Sequence, residues 1–226
     1  MKAKSLQLVA VMGLAGCLLG SGSAEVVDRI VSTVNHQIIL QSDWDEAVAC
    51  EALLGGRAWS SIPEADRQAT LQRMIDRALL SEQVQPETLA PATDAVKARV
   101  AEARTHFSAA ATEAGWQSVL ASYGVTIVEL ESYIATEIAL MDKVDTRLLP
   151  NVQVDSRSIA SYYRETFLPK LKQHGGKEVP LAQVSAQIKE LLTQQRIGEL
   201  LADWLAELRT EAKITIKGSP QEEPAR

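Results

Sequence analysis

The feature that most constrains this chain is a pair of β-rich segments at the two ends of an otherwise helical sequence. Val26-Val27-Asp28-Arg29-Ile30-Val31-Ser32-Thr33-Val34 is rich in β-branched residues, Asn35-His36 suits a tight left-handed turn, and Gln37 to Leu40 is apolar again. That pattern predicts a β-hairpin. At the far end Ala212-Lys213-Ile214-Thr215-Ile216-Lys217 alternates apolar and polar side chains, which predicts a strand. A lone hairpin is marginal in water, so the last strand is expected to pair with the first hairpin and cover one of its edges. The fold expected is mostly α, a helical module with a small antiparallel sheet formed by the N-terminal β-hairpin and the C-terminal strand.

Between the strands the sequence reads as helices. Ser42 offers an N-cap, with Asp43, Asp45 and Glu46 behind it, and suits the positive end of a helix dipole. That first helix should end at Gly55-Gly56. Pro63 opens a second, with Leu71, Met74, Ile75, Ala78 and Leu79 at spacings of three and four, stopped by Pro86 and Pro91. Asp94 opens a third, and Trp116 to Tyr123 forms a short fourth ending at Gly124. Thr126-Ile127-Val128-Glu129 is a capping box for a long fifth helix running to Pro150. Asp155 or Ser156 caps a sixth, which Pro169 is expected to break, leaving Lys170 to Pro180 as a loop. Leu181 to Arg209 is a long amphipathic helix.

The first residues carry an address. Met1-Lys2-Ala3-Lys4 is a positive leader, Leu8 to Leu19 an apolar run, and Gly20 to Ala24 are small residues before Glu25, the pattern of a secretory signal peptide. Residues 1–24 are read as that peptide, residues 25–218 as one domain and residues 219–226 as a polar tail. The run is too short for the roughly 20 apolar residues a bilayer needs, so no transmembrane span is expected in the mature protein, which is assigned to the periplasm. A second processing reading places Cys17 after Leu14-Ala15-Gly16, which resembles a lipobox and would tether the protein to a membrane as a lipoprotein. Cleavage after Ala24 leaves Cys50 alone, so no internal disulfide can form; Cys50 shares a stripe with Ala47 and Leu54 and reads as a small buried hydrophobe.

Composition removes several classes of function. The whole chain has 23 basic and 29 acidic side chains, and removal of Lys2 and Lys4 leaves it at −8. Such a surface offers phosphates no net attraction, and four Trp, four Tyr and two Phe are few for base stacking, so nucleic acid is not expected as a partner. His36, His106 and His174 are far apart in sequence and lack metal-ligand spacing. No phosphate-binding glycine loop and no Gly-x-Ser-x-Gly elbow occurs. No catalytic, cofactor or metal residue is assigned, and the chain reads as a binder.

The order of elements carries a resemblance. VVDRIVSTVNHQIILQSD, LQRMIDRALLSEQV, WQSVLASYGVTIVELESYIATEIALMDKVDTRLLP and the closing AKITIKG resemble, in that order, the opening, second helix, short-then-long helix pair and C-terminal segment of the SurA family of periplasmic chaperones. The resemblance implies a holdase that binds unfolded exported or outer-membrane proteins. Family members typically insert one or two parvulin-type prolyl isomerase domains before the C-terminal helix. Here only Leu168 to Pro180 lies at that place, too little for such a domain, so no isomerase activity is expected. The alternative reading is an envelope adaptor that holds one folded partner, lipid-anchored if Cys17 is modified. Clients are expected on apolar surface left over once the core is built, with Trp59, Trp116 and Tyr123 as the candidate client-binding residues.

Overall fold

The computed structural model describes residues 28–84 and 94–217. The leader with Cys17, the stop at Pro86 and Pro91, and the tail from 219 lie outside the described residues. Strands β1 (Ile30–Val34) and β2 (Gln37–Leu40) form the expected hairpin, with Val34 opposite Gln37 and Ser32 opposite Ile39. Asn35 takes the turn at φ 51°, a left-handed conformation that Asn tolerates better than most residues. Strand β3 (Ile214–Ile216) returns antiparallel to β1, with Val34 opposite Ile214 and Ser32 opposite Ile216. The sheet order is β2-β1-β3.

Asn35 also fastens this closure. Its backbone N–H donates to the Lys213 carbonyl at 2.9 Å, and its side-chain oxygen accepts from the Lys213 N–H at 2.9 Å. Ser32, buried completely, donates its hydroxyl to the Thr215 carbonyl at 3.1 Å, so the central strand leaves no buried hydroxyl unpaired.

Helix α1 (Gln41–Leu54) follows β2 without a loop. Ser42 is not its cap. The helix starts two residues earlier than the Ser42 reading requires, the Leu40 N–H donates to Asp43 Oδ2 at 3.1 Å, and Ser42 binds the Asp28 carboxylate through both its N–H and its hydroxyl. Asp43, three positions beyond the actual cap, thus satisfies the Leu40 N–H, and the Ser42 hydroxyl is left to Asp28 instead of the helix end.

Helices α2 (Glu64–Val84), α3 (Asp94–Arg104), α4 (Glu113–Tyr123) and α5 (Ile127–Leu148) complete the body. Gly124 ends α4 at φ 71°, and Thr126 and Glu129 exchange the two capping-box hydrogen bonds at 2.7 and 3.2 Å. The core falls into two clusters. One joins the sheet to α1, α2 and the second half of α5 through Val34, Trp44, Val48, Ile75 and Val144; the other joins α1, α3, α4 and the first half of α5 through Leu53, Val96, Trp116, Leu120 and Leu130. Helix α1 lies between them and serves both, which is why Ala47 to Cys50 are buried without interruption.

The rest of the chain forms an arm. Helix α6 (Ser156–Tyr162), capped by Asp155, passes through a π-helical turn at Tyr163–Phe167 into α7 (Leu168–Gln173). Pro169 therefore does not break the helix: it sits in the first turn of α7 next to the widened turn, where a missing N–H is accommodated. The loop is reduced to residues 174–180. Helix α8 (Leu181–Glu211) runs back along the arm and joins the body core from Ile197 onward, through Leu201, Trp204, Leu205 and Leu208.

Candidate functional site

The last turns of α1, together with α3 and α5, border an open cavity of about 750 Å³. Leu54, Ile134 and Ile138 supply an apolar floor, Ile134 and Ile138 by lying one turn apart on α5. Ala95 and Ala98 keep the α3 wall low, and Glu51, Arg57, Arg99, Glu102, Tyr133 and Glu137 form the polar part of the lining.

Its polar wall is a connected network across three helices. Glu51 accepts from Thr70 Oγ1 at 2.7 Å, from Arg73 Nε at 3.0 Å and from the Tyr133 hydroxyl at 3.1 Å. Arg77 donates to that hydroxyl at 2.9 Å, lies over the Tyr133 ring at 4.9 Å and pairs with Glu137. Burial pushes Glu51 up, but the bonds from Arg73 and Thr70 outweigh it and hold the carboxyl below its ordinary value. Burial pushes the Tyr133 hydroxyl well above its ordinary value. These charges are committed to one another, so the wall offers a fixed polar frame beside an apolar floor, an arrangement that accepts apolar side chains.

A second, smaller recess of about 310 Å³ lies on the other side of α1, lined by Ser42, Asp45, Glu46, Ala49, Trp59, Tyr123, Gly124, Val125 and Glu129. Trp59 stands on a short 3₁₀ turn and is 38% exposed. Its ring meets Tyr123 at 6.4 Å, and Tyr123 meets Phe107 edge-on at 5.9 Å. Burial, followed by the charges of Glu129 and Asp43, pushes the Glu46 carboxyl up.

The three aromatic candidates thus part company. Trp59 is surface left over after the core is built. Trp116 is not: it is 1% exposed inside the α1–α3–α4–α5 cluster with Arg104 over its ring at 5.5 Å. Tyr123 is buried too and donates its hydroxyl to the Arg57 carbonyl at 2.6 Å. The short helix α4 buries both rings because the turn at Ser108–Ala111 packs against it: a Cβ on Gly115 would lie 1.8 Å from the Ala109 carbonyl oxygen.

Cys50 is fully buried, and burial, then the neighbouring Glu46 charge, pushes its thiol up to about 12; a thiol so placed is no nucleophile. Among the described residues no group of three His, Cys, Asp or Glu side chains is placed to hold a metal ion, and no helix is long and apolar enough to cross a membrane. The cleft itself was not legible in the sequence. Glu51 and Tyr133 sit within helix stripes like any polar interruption, and the one usable signal was Arg73 and Arg77, two cations one turn apart on α2.

Residues 5–144 match the SurA-like N-terminal domain. The chain belongs to this family, and every residue lining the large cleft falls within the matched segment. A search among curated proteins finds no match.

Proposed function

We propose that this protein is a periplasmic chaperone of the holdase type, which binds unfolded exported or outer-membrane proteins and keeps them from aggregating. Membership of the SurA-like N-terminal domain family carries the reading. The cleft between α1, α3 and α5 supplies the physical means: burying apolar client surface there yields roughly 25 cal/mol per Å², less the cost of ordering the client. The exposed ring of Trp59, on the opposite side of α1, extends the surface available to a long client. No prolyl isomerase activity accompanies it, because the place where the family carries that domain is a helical turn and the loop 174–180.

The test is suppression of aggregation of an unfolded outer-membrane protein by the chain from Glu25 onward, which contains every described residue. Two surface variants address the site. Ala98→Leu narrows the cleft from its exposed α3 wall, and Trp59→Ala removes the exposed ring. Each is expected to weaken client retention several-fold while moving the melting temperature little. Absence of suppression by the unaltered chain, with capture of one folded partner at one-to-one stoichiometry, would replace the holdase by an envelope adaptor. Isomerisation of a proline peptide should stay at its spontaneous time of about tens to hundreds of seconds.

A further inference from the structure

Charge is divided unevenly between the two parts of this molecule. Residues 156–180, the α6–α7 side of the arm and its loop, carry five basic side chains against two acidic ones in a chain whose net charge is −6. Arg157, Arg164, Lys170, Lys172 and Lys177 are all exposed. Among the described residues none of the five lies within ion-pair distance of a carboxylate, Arg157 alone acting on a neighbouring charge, that of the α6 cap Asp155, whereas Arg57, Arg67, Arg73, Arg77, Arg99 and Arg104 of the body all do. Lys170, Lys172 and Lys177 lie at the outer end of the arm, together with Pro169 and the turn at Gly175-Gly176, while Arg157 and Arg164 lie along α6 and the π-turn behind them.

We propose that the tip of this arm docks on an anionic phospholipid bilayer surface and holds the acidic body away from it. Distance decides whether such docking can work. Helix α8 joins the body core only from Ile197, so the stretch from Leu181 to Ile197 projects by about 24 Å at 1.5 Å per residue. The Debye length at physiological salt is about 8 Å. Repulsion between the membrane and the acidic body is screened across roughly three such lengths, while the tip cations sit at the headgroups. The same segregation orients the molecule, tip toward the membrane and body away from it.

A flat, diffuse anionic surface fits the tip better than an acidic protein does. The cations are spread over α6, α7 and the loop rather than gathered on one face, and the larger apolar side chains there, Phe167, Leu168 and Leu171, are turned partly inward. A protein interface requires a desolvated apolar centre, which this tip does not present. Electrostatic attraction to anionic headgroups requires only the charges.

The experiment is co-sedimentation of the chain from Glu25 onward with vesicles of phosphatidylcholine alone or containing about one-third phosphatidylglycerol. Binding is expected only to the anionic vesicles and should fall as salt rises. Each cation removed should lower partitioning about fivefold, so Lys170→Gln, Lys172→Gln and Lys177→Gln together should lower it about 100-fold. The same change of net charge made elsewhere, by Lys97→Gln, Lys213→Gln and Lys217→Gln, should leave it within about threefold. All six lysines are exposed, so both triple variants should remain folded, which circular dichroism checks. Equal loss in the two triples would overturn a tip-specific site. No binding of the unaltered chain to anionic vesicles would overturn the membrane assignment, as would salt-sensitive self-association abolished by the tip triple in its place. Client retention is measured separately, so failure here is distinguishable from failure of the chaperone reading.

Discussion

The body and the arm are built from similar apolar side chains yet hold them differently. In the body, Val34, Leu53, Ile75, Leu130 and Val144 are fully buried between layers of helix and sheet. Along residues 156–196 only Ile188 reaches that state, and Ile159, Tyr162, Tyr163, Phe167, Leu168 and Leu192 stay half-buried. A helix hairpin with one contact layer cannot enclose large side chains, whatever their hydrophobicity. Stability therefore belongs to the body and adaptability to the arm, whose main long-range polar tie is the Tyr163 hydroxyl on the Val179 carbonyl at 2.7 Å.

Hydrogen exchange tests this division most sharply. Amides of α6, α7 and the first half of α8 should exchange through local opening about 100-fold or more faster than those of α1 and α5, which open only with global unfolding. Equal protection in both regions would make the arm part of the same cooperative unit. Next in size is a pair of truncations. Leu53→Ala, at a site with no exposure, should cost about 2–5 kcal/mol. Leu191→Ala, at a site 41% exposed, should stay within about 0.5 kcal/mol. Denaturant titration of both variants measures the contrast, and similar losses would place Leu191 under a contact that the monomer does not contain.

The same contrast explains what the sequence disclosed. Strands and body helices were legible because each carries a local signal that tertiary packing reinforces: Asn35 at the turn, Thr126 and Glu129 at a cap, Gly124 at a helix end, and the alternation around Ile214. The closing of β3 on β1 followed from the cost of an unpaired edge. Ser42 misled because a free hydroxyl and a nearby carboxylate compete for the same helix end, and Asp28, distant in sequence, claimed the hydroxyl. Pro169 misled because its rule holds for a regular α-helix, and a π-turn relaxes it. Trp116 and Tyr123 looked surplus because α4 is short; their burial depends on the Ser108–Ala111 turn, which has no periodic signal. The cleft depends on which helix faces meet, and Glu51, Tyr133 and Arg77 meet only through the packing of α1, α2 and α5.

Acid should act on the body before it acts on the arm. Glu51 is held below its ordinary value of 4.5 by partners from α2 and α5. A carboxyl depressed in the folded state contributes stability that is complete above its unfolded pKa and lost as pH falls through its folded pKa. Glu51→Gln should cost about 1–3 kcal/mol at pH 7 and flatten the acid limb of the stability curve. Melting temperature followed from about pH 7 down to about pH 3 reads both effects. An acid limb as steep in the variant as in the unaltered chain would transfer the sensitivity to other carboxylates.

Glu46 should behave in the opposite sense and by the smallest amount. It lies one turn before Cys50 on α1, its charge is opposed first by burial and then by Glu129 and Asp43, and its carboxyl titrates above the ordinary 4.5. An acid raised in the folded state binds its proton more tightly there than in the unfolded chain, so its ionisation works against folding as pH rises. The burden is absent below the unfolded pKa and complete once pH exceeds the folded one. Glu46→Gln keeps the size of the side chain and removes that burden, and should raise the melting temperature by about 1–2 °C at pH 7 and by nothing measurable near pH 4. Most of the side chain is in contact with water, which screens the repulsion and keeps the gain small. A gain of the same size at both pH values would come from helix propensity, and a loss at pH 7 would mean that Glu46 accepts a stabilising contact from the Trp59 recess. Repeating the measurement at high salt separates the two, because only the electrostatic gain fades as the Debye length shortens.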